Sequence, residues 1–203
     1  VAVTTVTDRD GEMETAKGAL ALYPTLAASV NHDCRPNALL RFGGQEGLDL
    51  ELVASDPQGA APGAEVTISY GPTAASHPRA ERSAALLAQY GFNCTCVACS
   101  DAAPEDFSWR HRAAALDQRA QKEASGGKWD AAVAACSASL ALLRQGYRPG
   151  DVELAREECK LAGLMLRANS ADRARESWAS AAEVLRALVA AGDPDLEEAE
   201  EML

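Results

Sequence analysis

Long apolar runs are absent from this sequence. No stretch of the 203 residues approaches the ~18 consecutive apolar residues that a membrane-spanning helix requires. The N-terminus also lacks the charged segment followed by an apolar core that marks a secretory signal. We therefore expect no membrane association. The expected compartment is reducing and intracellular, either nucleus or cytoplasm, where clustered thiols are more often metal ligands or reactive groups than disulfides.

Basic residues are scarce relative to acidic ones. The chain has 19 Lys and Arg against 30 Asp and Glu, which gives a formal net charge of −11. Because nucleic-acid backbones are bound by clustered Lys and Arg, this balance argues against direct nucleic-acid binding. A basic protein or peptide is the better match for such a surface. The acidic residues at 195–201 are also explained simply as the solvated face of a helix.

The composition changes along the chain, and this change predicts an α+β protein. Residues 1–78 contain the Val, Thr and Ile segments that predict a β-rich domain. Residues 105–203 are dominated by Ala, Leu, Glu and Arg. Between them, residues 79–101 combine a helix, ending at Gly91, with a cysteine cluster. Strands are predicted at 1–7, 38–42, 48–53 and 65–70, with turns at 8–11 and at Pro62-Gly63.

The C-terminal half predicts an all-α domain of four helices. They are expected at about 107–124, from Trp129 to Leu143, around Leu154 to Met165, and from Ala174 to Leu188. Residues 129–140 resemble the second helix of a tetratricopeptide (TPR) repeat, so stacked TPR-like helical hairpins are the expected architecture. Cys136 and Cys159 fall on the apolar faces of these helices and are expected to be buried.

Three cysteines in six positions form the densest chemical signal in the chain. Cys94, Cys96 and Cys99 make a C-x-C-x-x-C run, which is compatible with half of a disulfide framework, with a redox pair, or with three ligands of a zinc ion. A closed structural zinc site needs a fourth ligand. Cys34, in the stretch Asn-His-Asp-Cys-Arg-Pro-Asn, is the candidate, so the four cysteines together predict a structural Zn²⁺ site.

Three motifs occur in order along the first hundred residues. They are N-H-x-C-x-P-N at 31–37, G-x-E-V-T-I-S-Y at 63–70, and R-x-x-x-L-x-x-x-Y-x-F-x-C-x-C-x-x-C at 82–99. In this order they resemble the C-terminal half of a SET domain followed by its post-SET zinc segment. The helical half that follows them makes the SET-and-MYND family of protein-lysine methyltransferases the most similar group. The glycine-rich first half of a SET domain and the MYND module are not among the 203 residues.

The resemblance implies a function and a set of site residues. The function is S-adenosylmethionine-dependent N-methylation of lysine in a histone or non-histone protein. Asn31, His32 and Phe92 would bind the cofactor, with Phe92 packed on the adenine ring. Tyr70 would be the active-site tyrosine, in contact with cofactor and substrate, and Tyr90 would line the channel for the target lysine.

Two other interpretations stay open at the level of sequence. The first keeps the fold without catalysis: an inactive SET remnant that binds peptides through its helical repeats. The second is an unrelated zinc-stabilised interaction module. Taken singly, Tyr70, Tyr90 and His32 are most simply ordinary half-buried residues. Their placement inside three ordered motifs favours the functional interpretation.

Overall fold

The computed structural model describes residues 2–7, 13–18, 29–43, 49–55 and 61–203. The chain divides into two compact units, residues 1–30 and residues 31–203. The domain boundaries expected from the sequence, at 78 and at 101–105, stay predictions. No helix in the described part of the chain is long and apolar enough to cross a membrane.

The first unit contains one antiparallel strand pair. Strand β1 (Ala2–Thr7) pairs with β2 (Met13–Gly18), so that Ala2 lies opposite Gly18 and Thr7 opposite Met13. The strand predicted at 1–7 is therefore confirmed for residues 2–7. The predicted turn at 8–11 and the segment that leads towards Asn31 lie outside the described residues.

The second unit begins with two small sheets. Strand β3 (Asn31–His32) runs parallel to β6 (Thr67–Ile68), and β4 (Ala38–Gly43) runs antiparallel to β5 (Asp49–Ala54). The predicted strand at 65–70 is thus shorter than expected. At the start of the predicted strand, the backbone bonds to the side chain of Asn37 instead of a neighbouring strand. The Asn37 side chain accepts from the Thr67 N–H and donates to the Glu65 carbonyl.

Helix α1 (Arg79–Tyr90) has the bounds that the sequence predicted. It ends at Gly91, whose φ of +73° places it in the left-handed region that glycine adopts without strain. Arg82 and Leu86 face inward and are buried, whereas Leu87, which the spacing placed beside them, is 50% exposed. The short helix α2 (Val97–Ser100), inside the cysteine segment, was not predicted.

The helical region consists of consecutive helices that pack on their neighbours. The helices are α3 (Ser108–Ser125), α4 (Trp129–Leu143), α5 (Val152–Arg167), α6 (Ala171–Leu188) and α7 (Pro194–Glu201). Short loops join α3 to α4 and α5 to α6, and each pair packs along its length. The four predicted helices and the buried positions of Cys136 and Cys159 are confirmed. The TPR-like character of the pairs stays a prediction.

Three arginines attach the helical region to the β segment. Arg41 donates to the Ala187 carbonyl at 2.7 Å, Arg110 to the Ala75 carbonyl at 3.0 Å, and Arg148 to the Pro36 and Arg35 carbonyls at 3.0 Å each. Each guanidinium thus satisfies backbone acceptors outside its own helix or strand. Charged donors make the stronger class of hydrogen bond, so these contacts fix one region against the other.

Gly146 gives a test of packing within the helical region. A Cβ built there would lie 2.1 Å from Cζ2 of Trp109. We expect Gly146→Ala to lower the free energy of unfolding by about 1–3 kcal/mol, because the indole must move. Thermal unfolding followed by circular dichroism measures the change.

Gly163 is the matched control, since it lies within α5 with no atom within 4 Å of an added Cβ. Gly163→Ala should raise the free energy of unfolding by about 0.5–1 kcal/mol, because alanine favours a helix. Equal effects at the two positions would contradict the packing explanation.

Candidate metal centre and aromatic site

The four cysteines of the predicted zinc site lie together. The Sγ atoms of Cys34, Cys94, Cys96 and Cys99 are all within 4.8 Å of one another, and all four thiols are free. Tetrahedral zinc binds thiolates at about 2.3 Å, a length that matches this spacing of sulfurs. The cluster therefore fits a four-thiolate metal site. The disulfide that the sequence left open as an alternative is not formed among these four cysteines.

Local backbone geometry aims the three clustered cysteines at one point. Helix α1 stops at Gly91, and the chain then runs extended to Cys96, which precedes α2. The N–H groups of Cys99 and Ser100 both donate to the Cys96 carbonyl at 2.9 Å, so the turn of α2 carries Cys99 back over Cys96. Cys34 is held from the other side by its carbonyl, which accepts from the Ala74 N–H at 2.7 Å.

Without a metal the thiols of Cys34, Cys94 and Cys96 do not ionise alike. Burial raises the pKa of Cys94 to about 11 and also raises the pKa of Cys34. Burial acts in the same direction on Cys96, but hydrogen bonds from the backbone of Cys34, the thiol of Cys94 and the backbone of Cys99 outweigh it and lower the pKa of Cys96. Of these three thiols, Cys96 therefore ionises at the lowest pH. A divalent cation is the group that stabilises four thiolates at once.

His32 connects the cysteine cluster to Tyr70. The Tyr70 N–H donates to Nδ1 of His32 at 3.0 Å, so Nδ1 is unprotonated and Nε2 carries the ring proton. Nε2 lies 3.3 Å from Sγ of Cys34, in position to donate to it. Burial lowers the pKa of His32, which favours the neutral ring that this arrangement requires. Both ring nitrogens are thus occupied within the protein.

Four rings form an aromatic site beside the cluster. The ring centroid of Tyr70 lies 5.4 Å from His32, 5.0 Å from Tyr90 and 6.2 Å from Phe92. The hydroxyl of Tyr90 donates to the Tyr70 carbonyl at 2.9 Å, which fixes the end of α1 against the segment after β6 that carries Tyr70. Tyr90 is 44% exposed, so one side of this aromatic site is open to solvent.

The fold therefore brings the predicted site residues into one place. Asn31 lies on β3 next to His32, and its side-chain amide donates to Glu65 at 2.6 Å. Whether Asn31, His32 and Phe92 bind a cofactor, and whether Tyr70 and Tyr90 contact a substrate, stay predictions. The structure adds that these residues and the four cysteines lie close to one another.

Sequence analysis missed two residues at the metal centre. Residue 82 was named there only as the start of the third motif, and Glu105 only as the first residue of the predicted helical half. The Arg82 guanidinium is fully buried, 2.9 Å from Glu105 and 3.9 Å from Sγ of Cys99. The available signal was a charged residue on the helix face that also carries Leu86, since a buried Arg requires a partner.

A cavity of about 630 Å³ lies between the β segment and the helical region. Leu39, Leu40 and Ile68 contribute an apolar wall, and Asp151 and Glu153 at the start of α5 contribute carboxylates. Burial raises the pKa of Asp151. Cys34 and Ser69 also line the cavity, so it reaches the chain segments that carry His32 and Tyr70.

Comparison with known proteins supports the resemblance that the motifs indicated. No protein-family model matches the chain. It is 35% identical over 88 residues to a SET and MYND domain-containing protein of Dictyostelium discoideum, a match that covers 43% of this chain and 24% of the relative. It is 36% identical over 84 residues to a histone-lysine N-methyltransferase of Arabidopsis thaliana, covering 40% of this chain and 15% of that protein. The chain thus matches less than a quarter of the length of these relatives.

The metal centre predicts one zinc ion per chain that depends on Cys34. We expect Cys34→Ser to release the metal, because a buried ligand from a distant stretch closes the shell. Metal content by mass spectrometry and competition with a chelator measure this. Cys136→Ser, a buried cysteine outside the cluster, should keep the full zinc content. A zinc-loaded Cys34→Ser protein would contradict the four-cysteine site.

Thiol reactivity gives an independent prediction. In the zinc-loaded protein at pH 8, all six cysteines should resist alkylation. After metal removal, Cys96 should react before Cys34 and Cys94, because its pKa is lowered whereas theirs are raised, which gives Cys96 the larger thiolate fraction.

Burial raises the pKa of Cys136 and Cys159 to about 11, so these two should stay unmodified until the helical region unfolds. Peptide mass mapping identifies the modified residues. Preferential alkylation of Cys136 or Cys159 in the metal-free folded protein would contradict the assignment.

Proposed function

Because the chain is a SET-and-MYND-like protein of the SET family, we propose that it carries part of the active site of an S-adenosylmethionine-dependent protein-lysine N-methyltransferase. The observation that carries the proposal is the aromatic site of His32, Tyr70, Tyr90 and Phe92, held directly against the four-cysteine cluster. The proposed compartment is the nucleus or the cytoplasm. We propose that the helical region is a TPR-like repeat domain, which follows the SET and post-SET segments.

The chemistry of methyl transfer matches the residue types in this aromatic site. S-adenosylmethionine, when bound, supplies a methyl group on a positively charged sulfur. Aromatic faces attract cations within about 6 Å and exclude water. Tyr70, Tyr90 and Phe92 provide such faces, and Asn31 offers a side-chain amide at the adjacent strand. The donor set therefore fits the cofactor.

The proposed role of Tyr70 is to orient the target amine. A lysine amine attacks only in its neutral form and in line with the bond that breaks, so alignment contributes more than a strong acid or base. The backbone of Tyr70 is fixed on both sides: its N–H is bonded to His32 and its carbonyl to the Tyr90 hydroxyl. These two contacts fix the backbone of Tyr70 on both sides of the carbon that carries its ring.

The proposed role of zinc is structural. Cys34, Cys94, Cys96 and Cys99 would hold Zn²⁺ and so keep the stretch with Tyr90 and Phe92 against β3 and β6. All four ligand positions are filled by protein side chains, which is the mark of a closed structural site.

A basic protein segment is the proposed substrate. The chain has a net charge of −11. A peptide with positive charges around its target lysine would be attracted to such a protein. We propose no direct contact with nucleic acid or membrane.

Cofactor binding is the first test. Isothermal titration of the zinc-loaded chain with S-adenosylhomocysteine should show binding that Asn31→Ala abolishes and Tyr70→Phe retains. Tyr147→Phe, in the helical region, is the control and should bind as the wild type does. No binding by the folded, zinc-loaded chain would favour an inactive SET remnant that binds peptides through its helices.

Catalysis is tested on the complete protein that contains this chain. Transfer of a labelled methyl group to a basic, lysine-containing peptide should fall by about 100-fold in Tyr70→Phe, since misalignment alone has an effect of this size. The Tyr147→Phe control should keep full activity. No transfer to any protein or peptide by the intact, cofactor-binding protein would refute the proposal.

A further inference from the structure

Arg82 is a buried cation with four partners at the edge of the cysteine cluster. Its side chain is 0% exposed. One terminal nitrogen donates to the His77 carbonyl at 2.6 Å and to Glu105 at 2.9 Å. The other donates to the Ala98 carbonyl at 3.3 Å and faces Sγ of Cys99 at 3.9 Å. The guanidinium thus contacts a proposed metal ligand, the helix between two ligands, and the segment that follows.

The positive charge of Arg82 compensates negative charge at the proposed metal site. A divalent ion with four thiolates carries a net charge of −2, and burying an uncompensated charge is strongly unfavourable. Arg82 is the guanidinium that the described contacts place on the cluster. Hydrogen bonds to ionised acceptors are roughly twice as strong as neutral ones. The contact between Arg82 and Cys99 is therefore stronger with a thiolate in a metal site than with a neutral thiol.

Glu105 connects Arg82 to the segment 101–106, of which it is a part. One Glu105 oxygen accepts from Arg82, and the other accepts from the Arg79 N–H at the start of α1 at 2.5 Å. Burial opposes ionisation, but the backbone of Arg79 and the guanidinium of Arg82 lower the pKa of Glu105. Arg79 also donates to the Ala103 carbonyl at 3.3 Å. The segment that leads into the helical region is thus docked on α1 and is not a free linker.

We propose that Arg82 and Glu105 couple metal binding to the docking of residues 101–106. Metal binding strengthens the contact between Cys99 and Arg82. Arg82 in turn orders the Glu105 carboxylate and the start of the helical region. By linkage, docking of this segment strengthens metal binding by the same factor. The inference rests on the proposed zinc site and does not depend on methyl transfer.

The test compares zinc release and backbone exchange in three variants, Arg82→Gln, Arg82→Lys and Glu105→Gln. Zinc release to a chromogenic chelator should be roughly 10- to 100-fold faster in Arg82→Gln, the range found when partners of metal ligands are removed. Arg82→Lys keeps the charge but loses the planar fork, so it should lie between Arg82→Gln and the wild type. Arg112→Gln removes an exposed positive charge from α3 and should match the wild type.

Hydrogen exchange of peptides covering 76–106, with peptides from α5 and α6 as the reference, provides the readout that distinguishes coupling from a general loss of stability. Metal removal from the wild type should increase exchange at 101–106 and at the Arg79 amide, but not in α5 and α6. Glu105→Gln should show this increase even when zinc-loaded, and should release zinc several-fold faster.

Three results would overturn the inference. They are a wild type that binds no zinc, exchange at 101–106 that does not respond to metal removal, and zinc release from Glu105→Gln at the wild-type rate. If Arg82→Gln does not fold, the Glu105→Gln variant decides. Binding of S-adenosylhomocysteine is not part of this test, so failure of the proposed methyl transfer would leave its result unaffected.

Discussion

The convergence of four cysteine sulfurs joins stretches of chain that are 65 residues apart, from Cys34 to Cys99. Four thiols within 4.8 Å are unfavourable as four separate thiolates, since burial and the negative charges of neighbouring cysteines raise the pKa of Cys34 and of Cys94. A bound cation reverses this, because metal affinity requires the deprotonated ligands. The position of β3, of α2 and of the end of α1 all follow from satisfying this one cluster.

The aromatic site depends on the same constraint. His32 donates towards Cys34 and accepts from the Tyr70 backbone, so the imidazole fixes the distance between the cluster and the tyrosine. Tyr90 and Phe92 lie on either side of the helix stop at Gly91, immediately before the first clustered cysteine. Stabilising the cluster therefore stabilises the walls of the aromatic site, although no cysteine is needed for the chemistry proposed there.

The helical region is attached by a different kind of interaction. Arg41, Arg110 and Arg148 all donate to backbone carbonyls across the boundary, and Arg82 reaches the segment before α3 through Glu105. In a chain with so large an excess of acidic residues, these arginines are placed where backbone carbonyls at the boundary between the two regions accept hydrogen bonds. The cavity between the two regions is lined by Arg148, by Leu39 and Leu40 of β4, and by Leu188 at the end of α6.

Sequence by itself determined the local structure and the four cysteines that form the cluster. Helix α1 and its stop at Gly91, the four long helices and the four cysteines follow from periodicity, glycine placement and ligand type, which are properties of neighbouring residues. Tertiary structure alone decided the length of β6, the exposure of Leu87 and the partners of His32, Arg82 and Glu105. A polar side chain selects its hydrogen-bond partners only after distant stretches have met, because which donor faces which acceptor depends on three-dimensional position and not on spacing along the chain.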